Sequence, residues 1–105
     1  MCLSSIMNSI SSIAMSGLSA ASLRLDASAN NIANVQTPGH RRDMVIQEAQ
    51  DGGGVATRIA RSPQPGSDLA GDMVEQMSAA YAFKANLRVI QTQDAMMGTL
   101  LDARA

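Results

Sequence analysis

Few residues of this chain are of the types that carry catalysis or bind metals. The 105-residue sequence contains one histidine, His40, and one cysteine, Cys2. His40 directly follows a Pro-Gly pair and is typical of a turn residue, while Cys2 lies near the start of the sequence. An enzyme needs polar groups that converge in a pocket, and neither a Ser-His-Asp set nor a catalytic carboxylate pair is indicated. We therefore expect no catalytic site, and a lone cysteine forms no internal disulfide.

Two clusters have the composition of ligand sites. The glycines at 52–54 resemble a phosphate-binding loop only in part, because Val55-Ala56-Thr57 follows them in place of Lys-Ser or Lys-Thr and a helix. The glycine run therefore favours a turn. The acidic residues Asp68, Asp72 and Glu75 have no His or Cys nearby, and their spacing suits the positive N-terminus of a helix. We expect no cofactor and no metal.

Charge and composition exclude further classes. Eight basic and nine acidic residues are scattered along the chain and give a net charge of −1, so we expect no binding to nucleic acid. The N-terminal sequence lacks the features of a secretory signal, and no apolar stretch is long enough to span a bilayer. Hydrophobic residues make up 46% of the chain but include one Phe, one Tyr and no Trp, so a self-sufficient core is not expected.

The best-defined local signal is the end of a helix between Ala29 and Gly39. Asparagines at 30, 31 and 34 suit a helix terminus, because their short amides can satisfy the last carbonyl groups. Pro38 disfavours the helical conformation at Thr37, and Pro38-Gly39 fits the central positions of a type II turn. On these residues alone, the stretch predicts a helix stop and a change of chain direction.

The same stretch resembles a family signature. Residues 28–42 read Ser-Ala-Asn-Asn-Ile-Ala-Asn-Val-Gln-Thr-Pro-Gly-His-Arg-Arg. They are similar to the N-terminal signature of bacterial flagellar rod and hook proteins, the axial family, in which Asn-Asn-(Ile/Leu)-Ala-Asn precedes Thr-Pro-Gly, an aromatic residue and basic residues. His40 stands at the usual aromatic position.

A second stretch is similar to the C-terminal signature of that family. Its matching positions are Tyr81, Ala85, Asn86, Val89, Ile90, Thr92, Met96 and Leu100. The two resemblances cover about residues 15–42 and 67–102. The short insertion between them fits the smallest, proximal-rod-like members.

Helical periodicity dominates the first third of the chain. Apolar or small residues recur at three- and four-residue spacing: Met7, Ile10, Ala14, Leu18, Ala21, Leu25, Ser28, Ile32 and Val35. Gly17 lies where the spacing has an extra four-residue step, and many serines precede it. We therefore predict a flexible segment over 1–13 and a helix over 14–36.

The middle of the chain predicts a β-hairpin. Two runs, 43–49 and 55–61, flank Asp51-Gly52-Gly53-Gly54, and the second alternates apolar and polar residues. A Pro-rich linker then ends near residue 66. The turn, hairpin and linker together occupy 37–66.

A second helix is predicted over 67–103, with Asp68 or Asp72 as its cap and Glu75 completing a capping box. Two adjacent apolar seams run along it. The first comprises Met73, Met77, Ala80, Phe83, Leu87, Ile90, Asp94, Met97 and Leu101. The second comprises Ala79, Ala82, Asn86, Val89, Gln93, Met96 and Leu100. So wide a face predicts packing against the first helix and against neighbouring molecules.

These patterns predict a mainly α fold in which two long terminal helices form a coiled-coil pair with a short β-hairpin between them. The resemblance implies a structural subunit of the flagellar basal-body rod, in the periplasm, that polymerises through its terminal helices with itself and with other axial rod or hook subunits. It also implies delivery by the flagellar type III export apparatus without a cleaved signal peptide. The expected assembly interface comprises Leu18, Ala21, Leu25, Asn30, Asn31, Ile32, Asn34, Val35, Thr37, Pro38, Gly39, Met77, Tyr81, Phe83, Asn86, Leu87, Val89, Ile90, Thr92, Met97 and Leu101.

Within this interface, Asn30, Asn31, Asn34 and Asn86 are expected to form hydrogen bonds across or between helices, with Asn86 fixing their register. The plainer alternative places Asn86 in solvent. A second function class also stays open: a soluble helical-hairpin adaptor or chaperone-like protein that binds a partner helix in its Met-rich groove. Self-association separates the two functions, because a rod subunit polymerises and an adaptor forms a small complex.

Overall fold

Two long helices with a hairpin between them make up the computed structural model. It describes residues 2–104, and the side chains of residues 6 and 8–102. Helix α1 spans Cys2–Ala33, strands β1 and β2 span Asp43–Ala49 and Val55–Arg61, and helix α2 spans Leu69–Arg104. The mainly α fold with an intervening antiparallel hairpin is confirmed.

The helix boundaries differ from the predicted ones. Helix α1 is continuous from Cys2 past Ile13, so no structural boundary separates the segment that we expected to be flexible. Its flexibility in the isolated subunit stays a prediction, and Met1 lies outside the described residues. Helix α1 ends at Ala33 because the next residues turn: the N–H of Val35 donates to Ile32 and that of Thr37 to Asn34. The predicted turn is confirmed, since His40 N donates to Thr37 O and Gly39 has φ 74°.

Small side chains form the contact between α1 and α2, which run antiparallel. The buried apolar residues among those described are all alanines, namely Ala14, Ala20, Ala21, Ala27 and Ala79. From Ala14 onward the predicted α1 seam is buried or half-buried at every position. Alanines allow two helices to approach closely but remove little apolar area from water. The helix pair is therefore weakly stabilised by its own core.

The hairpin lies along α1. At its base, the Asp43 backbone bonds the Asn31 side chain; at its far end, the N–H of Val55 donates to Ser16 Oγ at 2.9 Å. The stretch from Ser16 to Asn31 is about 22 Å of helix, and a seven-residue strand is about 23 Å long. Gly53 and Gly54 adopt φ 91° and 86° where they pass over α1. Within the described residues, α1 contacts both strands and α2 contacts neither.

We expect the isolated subunit, at concentrations too low for assembly, to be mostly a soluble monomer with partial helicity, frayed in the first half of α1. The reason is that serines and Gly17 are poor helix formers and the buried surface is mostly alanine. Circular dichroism and amide hydrogen exchange measure this. Strong, cooperative protection throughout Met7 to Leu25 would contradict the expectation.

Candidate assembly site

The two seams of α2 lie on either side of the line that faces α1. Each contributes half-buried residues to the helix pair: Ala80, Phe83 and Ile90 from the first seam, and Ala82, Asn86 and Gln93 from the second. Other large members remain exposed: Met73, Met77, Leu87, Met97 and Leu101 from the first, and Val89, Met96 and Leu100 from the second. A single partner helix therefore covers only the middle of this apolar surface.

The predicted interface residues divide accordingly. Buried or half-buried within the chain are Leu18, Ala21, Leu25, Asn31, Ile32, Asn34, Val35, Phe83, Asn86 and Ile90. Exposed are Asn30, Thr37, Pro38, Gly39, Met77, Tyr81, Leu87, Val89, Thr92, Met97 and Leu101. The first group already has partners inside the subunit, so the second group offers the larger surface to a neighbour.

Asn86 fits into a notch in α1. Its Nδ2 donates to the carbonyl of Ala82 at 2.8 Å, and its amide lies over Gly17. A Cβ atom at Gly17 would lie 2.4 Å from Asn86 Oδ1, closer than non-bonded atoms allow. Asn86 is half-buried, so the alternative that placed it in solvent is wrong.

The first-helix asparagines act elsewhere than predicted. Asn31 Nδ2 donates to the Asp43 carbonyl at 2.9 Å, and the Asp43 N–H donates to Asn31 Oδ1 at 2.8 Å. Asn30 Nδ2 donates to the Asp43 carboxylate at 2.9 Å. Asn34 Nδ2 donates to Asn30 O, and Thr37 Oγ1 donates to Asn34 Oδ1. These amides bind β1 and the end of α1, and they form no hydrogen bond to α2. Asn86 lies about 21 Å farther along the helix pair.

A buried ion pair joins the hairpin base to α2. Asp72, in the first turn of α2, is 2% exposed, and its carboxylate accepts hydrogen bonds from Arg42 Nε at 3.2 and 3.3 Å and from an Arg42 terminal nitrogen. The hydrogen bond that Arg42 donates to Asp72 raises the pKa of Arg42 above its ordinary value. We call Asn30, Asn31, Arg42, Asp43 and Asp72 the junction cluster, because it links α1, α2 and β1.

A second ion pair crosses the helices. Arg24 Nε donates to Glu75 Oε1 at 2.5 Å, and an Arg24 terminal nitrogen donates to Ser78 Oγ at 3.0 Å. Glu75 therefore does not complete the predicted capping box. The cap is Asp68, whose Oδ1 accepts a hydrogen bond from the N–H of Gly71 at 3.0 Å.

The charged residues border a cleft of about 340 Å³ between α1, β1 and α2. Four of its charged side chains form two ion pairs, Arg24 with Glu75 and Arg42 with Asp72. Among the described residues, no group of three metal-ligating side chains comes together, and neither helix is apolar enough to cross a bilayer. His40 lies apart from this cleft, in the Thr-Pro-Gly turn, with its Nε2 buried and without a hydrogen-bond partner. The geometry is that of a structural junction.

The sequence analysis missed the roles of Arg24, Arg42 and Asp43. Arg42 was considered only as one of the basic residues of the signature, and Asp72 only as a helix cap and for the helix dipole. A signal was nevertheless present, because a carboxylate in the first turn of a helix needs a partner if its side chain is buried.

Comparison with known proteins gives the family. Residues 12–41 match the family described as flagella basal body rod protein, and residues 64–103 match the flagellar basal body rod FlgEFG protein C-terminal family. The chain is also similar to the flagellar basal-body rod protein FlgC of Yersinia enterocolitica, with 33% identity over 118 aligned residues that cover 81% of this chain and 88% of that protein. The chain belongs to the flagellar basal-body rod protein family.

Family membership confirms the function that the resemblance implied. The protein is a structural subunit of the flagellar basal-body rod, and none of these matches favours an adaptor. The first match covers most of α1 from Ser12 and continues through the Thr-Pro-Gly turn, and the second covers α2. The junction cluster thus lies where the two matched segments meet in space.

Proposed function

We propose that this rod subunit polymerises through its terminal helices and that the exposed members of the α2 seams pack against helices of neighbouring axial subunits, either further copies or other rod and hook proteins. The observation that carries the proposal is a row of apolar side chains along α2. Met73 and Met77 belong to the first seam, and Tyr81, outside both seams, continues their four-residue spacing; the three are 52%, 64% and 73% exposed. Residues at this spacing lie along one side of a helix.

The weakness of the internal core supports the same proposal. Large apolar residues remain in solvent while alanines occupy the interior, so the apolar area still to be buried lies outside the subunit. Burial contributes about 25 cal/mol per Å² of apolar surface, so covering these side chains on assembly adds stability that the subunit alone lacks. Contiguous exposed apolar surface of this kind marks protein contacts.

We further infer that the subunit reaches the periplasmic rod through the flagellar type III export apparatus, without a cleaved signal peptide, and that its role there is structural and not catalytic. Family membership supports this inference. A secretion assay on cells lacking the export apparatus tests the export route. Sequencing the mature N-terminus of the subunit from isolated basal bodies tests whether a signal peptide is cleaved.

We expect Leu87→Asp to abolish assembly and motility while the subunit still folds. Leu87 is 40% exposed in the subunit, so the new carboxylate stays solvated until a neighbour covers it. Burying it without a partner then costs several kcal/mol. Ile90→Asp should also abolish assembly, but Ile90 is half-buried, so that substitution weakens the subunit as well.

The matched control is Arg88→Gln, which changes the net charge by the same amount at an adjacent, exposed residue that belongs to neither apolar seam. Sedimentation of purified protein and motility of complemented cells give the readouts. The control should assemble normally. Normal assembly of Leu87→Asp would show that this part of α2 faces solvent in the rod, and the proposed helix contact would be wrong.

A further inference from the structure

We propose that hairpins of adjacent copies pair edge to edge, with β1 of one copy adding to β2 of the next. The two-stranded sheet would then continue from copy to copy. This inference rests on the proposed function, because it requires copies to lie side by side. It assigns the partner of the hairpin as a second copy of this chain.

The backbone pattern shows which groups are available. The N–H of Ser62 donates to Arg42 O at 2.8 Å, and the N–H of Gln50 donates to Gly54 O at 3.1 Å, at the two ends of the ladder. In an antiparallel pair, bonded and non-bonded residue pairs alternate. Even-numbered residues of β1 and β2 therefore bond each other, and the backbone groups of odd-numbered residues point outward.

Side chains of α1 satisfy the outward groups at one end of each edge. Asn31 bonds both the N–H and the carbonyl of Asp43 on β1, and Ser16 accepts the N–H of Val55 on β2. Within the described residues, no such cap is present for the outward groups farther along. These are Val45, Gln47 and Ala49 on β1, and Thr57, Ile59 and Arg61 on β2. Open strand edges of this kind are templates for a further strand.

The charges of the two strands favour pairing of β1 with β2 of the next copy over pairing of two identical edges. Glu48 on β1 and Arg58 on β2 are both exposed and lie on the same face of the sheet. Pairing β1 with β1 would bring acidic side chains together, and pairing β2 with β2 would bring Arg58 and Arg61 of both copies together. Copies in the same orientation instead place β1 beside β2, antiparallel and with opposite charges adjacent.

The order of the elements suits such a stack. Helix α1 lies between α2 and the hairpin, so α2 covers neither strand. Neighbouring strands of a sheet lie about 4.8 Å apart, so a two-stranded hairpin would repeat about every 9.6 Å along the continuous sheet. Packed helices lie about 8–10 Å apart. One spacing between copies therefore satisfies both the sheet and the helices.

The test cross-links separate copies through the two edges. In a Cys2→Ser background, which removes the only native thiol, full-length Gln47→Cys and Thr57→Cys subunits are mixed, assembled and treated with a short bis-maleimide. We expect a cross-linked dimer from the mixture and none from either variant alone. A mixture of Gln47→Cys with Gln64→Cys, a position in the linker away from both strands, is the matched control.

Proline substitution supplies the second measurement. Ala49→Pro, placed in the Gln47→Cys copy, removes an outward N–H and leaves the bonds within the hairpin, so we expect folded subunits and loss of the cross-link to Thr57→Cys copies. If sedimentation shows normal assembly but the mixture gives no cross-link, edge pairing is wrong and the helix-based function stands. A dimer of Gln47→Cys with itself would also overturn the proposal. Failure of unsubstituted subunits to assemble would overturn both.

Discussion

Replacing Arg42 with methionine is expected to lower the free energy of unfolding of the junction end of the subunit by about 3–5 kcal/mol. Asp72 is 2% exposed, so removing its partner leaves a buried, uncompensated carboxylate. A chain whose buried apolar side chains are alanines has little stability to lose. The segment that leads into β1 should therefore detach from α2, although the hairpin ladder and the bonds to Asn31 are untouched.

Hydrogen exchange at Asp43–Ala49, together with the denaturant midpoint, measures this loss. The matched control is Arg41→Met, because Arg41 is the adjacent arginine, is exposed and donates to the carbonyl of Ser62. Its effect should stay within about 1 kcal/mol. The double variant Arg42→Met with Asp72→Leu removes both charges and should recover much of the loss. Equal effects of the two arginine variants would show that the ion pair is not what holds the junction.

The elements with local signals were predictable from sequence. Pro38-Gly39, the glycines at 52–54 and the three-four spacing of the helices each depend on neighbouring residues, and the structure has the turn, the hairpin and both helices there. The junction cluster was not predictable in this way. Arg42 and Asp72 are 30 residues apart, and Arg24 and Glu75 are 51 apart, so no local pattern pairs them.

The wide apolar face of α2 was also only partly predictable from the sequence. Its two seams were visible as periodicities, and the prediction that one helix would not cover them agrees with the exposed Met77, Leu87 and Val89. Periodicity could not say which members α1 would cover, because that depends on the rotation of α2 about its axis. Gly17 fixes this rotation, since it is where Asn86 enters α1.

Loss of the Gly17 notch should change assembly more than stability. Helix α1 presents small residues seven positions apart, Ala14, Ala21 and Ser28 on one line and Ala20 and Ala27 on another. An alanine interface of this kind looks similar after a seven-residue slip. Gly17 is the only glycine in α1, so the Asn86 amide fits at one register alone. A polar residue in a helix seam commonly fixes register in this way.

We therefore expect Gly17→Ala to cost about 1–3 kcal/mol through its clash with Asn86, partly offset by about 1 kcal/mol of helix propensity. Adding Asn86→Ala to Gly17→Ala should remove the clash and leave a helix pair at least as stable as the original. The single variant Asn86→Leu should also keep the helices folded. The double variant Gly17→Ala with Asn86→Ala and the single variant Asn86→Leu are nevertheless expected to give mixed oligomers and poor motility. The reason is that neither variant keeps the Asn86 amide that restrains the register. Thermal unfolding separates the stability effects, and analytical ultracentrifugation counts the oligomers. Uniform, motile assemblies from the double variant would mean that Asn86 fills space without setting the register, and the packing of α1 on α2 would be unaffected by that result.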